Sequence, residues 1–245
     1  MLFRRMTVLL ISAMVYCASM GTASAIPFAV GDFVTYSQEN WGGDPDSDPA
    51  AQMLVDRFMG FYGGGTEVGI PLNAGWSIIF TSAAAVLNYL PSSGAPGPLT
   101  ADLVDPTSTS SGLLGGYVLA LQLNVDFNDA GFLHGTSAVL FGDLILTQLP
   151  FLPEFNGYTV RQFLGEANRI LGAGAFTGSY EEVNFLTQDL SNAFNAGSSS
   201  AFAQDHLRLP AAGTVPEPAT WMLALLGLMA ILLARPKRFV GVCAD

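Results

Sequence analysis

Asp44, Asp46 and Asp48 alternate through Gly43-Asp44-Pro45-Asp46-Ser47-Asp48-Pro49, the spacing at which a calcium loop offers its first three oxygen ligands. The rest of that pattern departs: Pro49 stands where the sharp turn needs glycine, and Val55 where a closing carboxylate belongs, with Asp56 one residue late. Two readings follow, an unusual calcium site on these three aspartates or a solvated acidic loop whose last member caps a helix. His134 and His206 are the only histidines, and neither lies in a paired ligand motif or beside a candidate nucleophile. Serine hydrolysis lacks its Gly-x-Ser-x-Gly elbow, zinc hydrolysis its histidine pair, and a phosphate loop its lysine. Glycoside hydrolysis needs only two carboxylates, which Glu154, Glu166, Glu181 and Glu182 could supply if folding brought two of them together. Trp41, Trp76 and Tyr36 could stack on sugar rings or fill a core.

A different chemistry is written near the C-terminus. Val215-Pro216-Glu217-Pro218 precedes an apolar stretch from Trp221 to Ala234, and Arg235, Lys237 and Arg238 follow it. Two prolines keep the motif extended, as a processing enzyme requires of a segment it grips. Trp221 suits the headgroup interface, and the basic cluster holds its end on the cytoplasmic side. At roughly 14 residues the apolar stretch is shorter than the ~20 that cross a bilayer comfortably, so it reads as a transient stop more than a lasting anchor.

The other end carries an export signal. Arg4 and Arg5 precede the apolar run Met6 to Tyr16, and Ala23-Ser24-Ala25 supplies the small residues that a signal peptidase recognises. Ala23 and Ala25 are the recognition residues, and cleavage after Ala25 leaves Ile26 first. The organisation expected is a signal peptide (1–25), a passenger domain (26–205), a linker (206–214), the tail (215–238) and a C-terminal extension (239–245).

Cys17 and Cys243 are the only cysteines, and both fall outside the passenger. Disulfides, zinc-thiolate sites and cysteine nucleophiles are thereby excluded from it, and its fold must rest on packing. Between the signal and Pro218 the only cations are Arg57, Arg161, Arg169 and Arg208, against nineteen of the chain's 20 acidic residues. Such a surface repels phosphate backbones, so no nucleic-acid partner is expected; neutral glycans or cations suit it better.

These groups must be positioned by a mostly α or α+β fold, expected as a single compact domain of about five helices with a few short strands. A strand is read near 32–37. Asp48 and Pro49 open a helix with Leu54, Phe58 and Phe61 on one face; Trp76 to Phe80 is extended; Thr81 caps a helix carrying Ala83, Val86 and Leu90. A loop rich in Ser, Gly and Pro runs from Pro91 to Ser111. Leu114, Val118, Leu121 and Val125 recur at helical spacing, whereas Ser137 to Thr147 is undecided between strand and coil. Thr159-Val160-Arg161-Gln162 and Ser179-Tyr180-Glu181-Glu182 have the form of capping boxes. The helices they start, ending at Gly172 and Gly197, are expected to pair as an antiparallel hairpin.

The order Pro-Glu-Pro, apolar stretch and basic cluster, together with an N-terminal signal, closely resembles the PEP-CTERM sorting domain of Gram-negative bacteria that make exopolysaccharide. The resemblance covers residues 214 to 238. It implies passage through the secretion translocon and signal peptidase, retention in the inner membrane by a transmembrane sorting helix, recognition of Pro216, Glu217 and Pro218 by an exosortase, and delivery to the cell surface or matrix. The continuation Phe239 to Asp245 departs from such tails, which stop near the basic residues. The passenger is also similar to secreted bacterial domains without assigned activity, through Tyr36-Ser37-Gln38 with Trp41-Gly42-Gly43 and through Val118 to Phe127. No cofactor is implied beyond the calcium reading. The function expected is that of a non-enzymatic surface or exopolysaccharide-matrix (biofilm) protein, the alternative a secreted glycan-acting hydrolase using paired carboxylates.

Overall fold

Ser37 and Asp48 start the first two helices in the way short polar side chains do, by accepting from backbone N–H groups that the first turn leaves unpaired. Ser37 accepts from Asn40 at the head of α1 (Gln38–Trp41), and Asp48 from Ala50 at the head of α2 (Pro49–Tyr62), where Pro49 occupies the first turn. Both features of α2 agree with the sequence reading. In this computed structural model, residues 28–70, 74–133 and 135–210 are described. Ala23, Ala25, Pro216, Glu217, Pro218, Arg235, Lys237, Arg238, the expected transmembrane helix and His134 lie outside them.

After α2 the chain forms an antiparallel pair, β1 (Thr66–Gly69) with β2 (Ser77–Phe80), in the register Thr66 to Phe80 and Gly69 to Ser77. Helix α3 (Ala83–Tyr89) follows, capped by Ser82. Thr81, the expected cap, is engaged elsewhere: its N–H and hydroxyl both donate to Asp105. The long Ser/Gly/Pro segment is pinned along its length. Leu99 N donates to Leu171 O, Asp102 accepts from Ser77 N, and β3 (Leu103–Val104) adds to β2 in parallel.

Helix α4 (Leu113–Asp129) is the spine of the fold. It is buried on nearly all sides, which is why its pattern is apolar throughout rather than striped. Gly115 and Gly116 allow this: a β-carbon on Gly116 would come within 2.2 Å of Gln38 Oε1 and 2.0 Å of Ser92 Oγ. The undecided segment resolves into a 3-10 turn at Phe141–Asp143 and a two-residue strand β4 (Ile145–Leu146). Helix α5 (Val160–Leu171) has the full reciprocal box of Thr159 and Gln162, and α6 (Tyr180–Ser191) is capped by Ser179. The last elements are α7 (Ala201–His206) and β5 (Leu207–Arg208), which pairs antiparallel with β4.

The outcome is a mixed α+β fold with seven α-helices among the described residues, against about five expected. The additions, α1 and α7, span four and six residues and are too short to print a periodicity. Three further expectations are corrected. Residues 32–37 alternate inward and outward like a strand, with Phe33, Thr35 and Ser37 buried, yet only Thr35 finds a strand partner, Asn195. Helix α6 stops at Ser191 because Asn192 caps it and the chain turns toward that bridge. Helices α5 and α6 touch one another, but the main contacts of each are with α4 rather than within a hairpin. His206 closes α7 and Leu207–Arg208 form β5, so the fold continues through Arg208. No helix among the described residues is long and apolar enough to cross a membrane.

The two described ends of the domain meet. Phe28 N donates to Gln204 Oε1 at 3.1 Å, and Gln204 Nε2 donates back to Phe28 O at 2.8 Å. The Phe28 ring lies edge-on to Phe33 and Phe194.

Candidate functional site

The aromatic residues divide by burial. Trp41 is fully buried; its ring packs edge-on against Phe127, and its Nε1–H donates to Asn124 Oδ1 at 3.2 Å. Asn124 also accepts from Tyr36 N and donates to Tyr36 O, both at 2.8 Å. Gly42 permits the approach of the α3 terminus, since a β-carbon there would stand 2.2 Å from Leu90 O. The two segments that carried the second resemblance are therefore two sides of one internal seam, and their residues hold the fold.

Trp76 differs. It is 41% exposed, on a backbone fixed from two sides: Trp76 N donates to Gly172 O at 3.0 Å, and Ile70 N donates to Trp76 O at 2.9 Å. Gly75 and Gly172 make this crossing possible, because a β-carbon on Gly75 would lie 2.5 Å from Gly172 O. Asp102 borders the same shallow depression, with one carboxylate oxygen accepting from Ser77 N at 2.9 Å. The result is an indole platform beside a carboxylate that keeps acceptor capacity.

The acidic loop is occupied with local structure. Asp44 accepts from Asp46 N at 3.0 Å, and Asp48 accepts from Asn40 Nδ2 at 3.1 Å as well as capping α2. Among the described residues, no three His, Cys, Asp or Glu side chains assemble into a group that could hold a metal ion.

The candidate glutamates scatter. Glu166 pairs with Arg169 at 2.7 Å, Glu154 sits exposed in a 3-10 turn, and Glu181 faces solvent from the first turn of α6. Glu182 alone lines a groove, and its companion there is Asp189, which the sequence reading did not single out. Glu182, Phe185, Leu186 and Asp189 follow the i, i+3, i+4, i+7 rule and form one stripe of α6. Opposite stand Phe202 and His206 of α7 and the turn Leu149 to Leu152, enclosing about 250 Å³. Burial raises the Asp189 carboxyl above its usual range, and the nearby His206 charge partly counters this. His206 Nδ1 lies 3.2 Å from Thr147 O; a carbonyl can only accept, so this nitrogen carries a proton and donates it. Phe185 was legible as a large apolar residue off the buried stripe of α6.

A second polar set runs from the edge of the core to the surface. Tyr62 donates to Asp126 at 2.8 Å. Burial foremost, then the Asp126 charge, holds the phenol far above its ordinary value, and burial likewise raises Asp126 despite the hydrogen bond from Tyr62. Arg161 bridges the neighbouring Asp129 and Asp143.

No curated protein and no solved structure matches the chain. Residues 214–238 match the PEP-CTERM protein-sorting motif, and the chain is accordingly an exported protein that carries this motif, the mark of an exosortase substrate.

Proposed function

We propose that the passenger is a non-enzymatic surface or matrix protein that associates with exopolysaccharide after exosortase sorting. The observation carrying this reading is the Trp76 platform: an exposed indole on a rigid backbone, with Asp102 beside it to accept from hydroxyls. A flat aromatic face suits the apolar face of a neutral sugar ring, and the acidic surface turns away polyanionic competitors. The test is binding of the purified protein to exopolysaccharide of the producing strain, with Trp76→Ala beside wild type. A loss of about fivefold in affinity, roughly 1 kcal/mol, is expected for removing one stacked ring. Unchanged binding would overturn the reading.

A secreted glycan hydrolase is the second reading, favoured only by the presence of Glu182 and Asp189 in one groove. Seven residues of helix separate them by about 10.5 Å along the axis. Both project from the same wall, whereas the two-carboxylate mechanism places its pair on either side of the scissile bond, roughly 5 to 9.5 Å apart. Release of reducing ends from the polysaccharide that is lost in Glu182→Gln would establish the hydrolase instead.

A further inference from the structure

The groove between α6 and α7 has a character that the glycan reading does not use. Phe185 is 61% exposed and Phe151 66% exposed, on opposite lips of a space whose floor is Leu149, Leu152 and Leu186. Large apolar side chains rarely sit paired over an apolar floor on a surface unless something covers them. The turn that presents Phe151 is held in an uncommon backbone state: Gln148 and Leu152, which flank it, both have positive φ, 54° and 58°. Non-glycine residues avoid that region, and the cost is met here by neighbouring bonds, Leu149 N to Asn156 Oδ1 at 2.9 Å and Phe155 N to Leu152 O at 3.1 Å. A relaxed turn would not need this arrangement.

Size and charge restrict the occupant. About 250 Å³ is below the usual range for drug-sized ligands, roughly 300–1,000 Å³, and accommodates one ring or a short alkyl chain. The carboxyl groups on the walls are Glu182 and Asp189, with the His206 imidazole beside them. Among the described residues, no lysine or arginine lines the groove. An apolar anion would be repelled, a neutral apolar molecule would leave the carboxylates unused, and an apolar group bearing an ammonium would satisfy both parts. We propose that this groove binds a small amphiphilic cation, a single ring or short alkyl chain carrying an ammonium.

A charge series on one scaffold tests this. 4-Phenylbutylamine, 4-phenylbutanol and 4-phenylbutyrate share their apolar part and differ only in the head group. Titrated calorimetrically into the full chain in nonionic detergent, with detergent blanks, the amine is expected to bind about tenfold tighter than the alcohol, a difference of about 1.4 kcal/mol, and the carboxylate weakest. In Glu182→Gln/Asp189→Asn the amine should fall to within about twofold of the alcohol, whereas Phe185→Ala should weaken amine and alcohol together. These positions are at the surface, so the variants should fold. A capped Leu-Phe-Lys peptide, run in parallel, should bind more weakly than the amine; tighter binding of the peptide would overturn a small amine as the occupant. Equal affinity for all three head groups, no measurable binding of the amine, or an amine preference surviving in the double variant would each refute the proposal. Trp76→Ala should leave the series unchanged, so this result and the glycan result fail independently.

Discussion

Replacing Asn124 with leucine removes the side chain that hydrogen-bonds the N-terminal segment to α4 at both Tyr36 and Trp41. The substitution is close to isosteric, so little volume changes and the effect isolates the polar contacts. Three buried groups lose their partners: the N–H and C=O of Tyr36, each bonded at 2.8 Å, and the Trp41 indole N–H, bonded at 3.2 Å. An unsatisfied buried donor or acceptor costs about 1–3 kcal/mol. Taking the low end for the longer indole bond and for Tyr36 groups that can relax toward water, the expected loss is about 3 kcal/mol. Set against a total of roughly 5–15 kcal/mol for a domain, that is a large fraction. The measurement is urea unfolding followed by tryptophan fluorescence, with Trp41 reporting from the seam itself. The midpoint should fall sharply with the slope unchanged. Asn124→Asp should also destabilise, because it keeps the acceptor but loses the donor to Tyr36 O and buries a charge. A loss below about 1 kcal/mol in Asn124→Leu, with Trp41 emission unchanged, would show that the seam is held by aromatic packing alone.

Other outcomes follow from the same structure. The Asp126 carboxyl is raised in the fold by burial, so ionising it opposes folding: the penalty is absent below the unfolded pKa and complete above the folded one. Asp126→Asn, which can still accept from Tyr62, should therefore gain stability relative to wild type at pH 8 and lose that gain as pH falls toward 4, read from paired thermal melts. Gly42→Ala places a methyl 2.2 Å from Leu90 O and should destabilise by about 2 kcal/mol or more, seen as a lowered urea midpoint. Asn184 Oδ1 is buried without a hydrogen-bond partner among the described residues, so Asn184→Leu should raise the midpoint by about 1 kcal/mol. Intact-mass measurement of the exported protein should find a chain shorter than one ending at Asp245 when exosortase is present, and lacking that truncation when it is deleted.

What could be read from the sequence was what local chemistry decides. Asp48 with Pro49, and Thr159 with Gln162, announce helix starts because a cap needs only the residues within one turn of it. The helix α4 was legible from its length of apolar sequence, although burial on nearly all sides blurs its stripe. Elements fixed by distant partners left no such trace: β3, β4 and β5 are two residues each and exist because Ile78, Ile145 and their neighbours happen to lie alongside. Thr81 illustrates the same limit, a capping residue by type that Asp105 draws away. The candidate site was legible by half. Trp76 was named among the aromatic candidates, but only burial separates it from Trp41. Glu182 was named for catalysis, whereas Asp189, Phe151 and Phe185 gain meaning only when a turn 30 residues upstream closes over α6.

The reciprocal bonds between Phe28 and Gln204 have a mechanical consequence. A load applied through the C-terminal end enters the domain at Arg208, where β5 meets β4 over only two residues and antiparallel rungs can open one at a time. Behind that short zipper stands α7, a six-residue helix. Once α7 peels away, Gln204 releases Phe28, and the pull frees the N-terminal strand of backbone from Phe33 and Phe194. Under tension the β4–β5 rungs would open first and α7 next, and the N-terminal segment would lose its hold only after them.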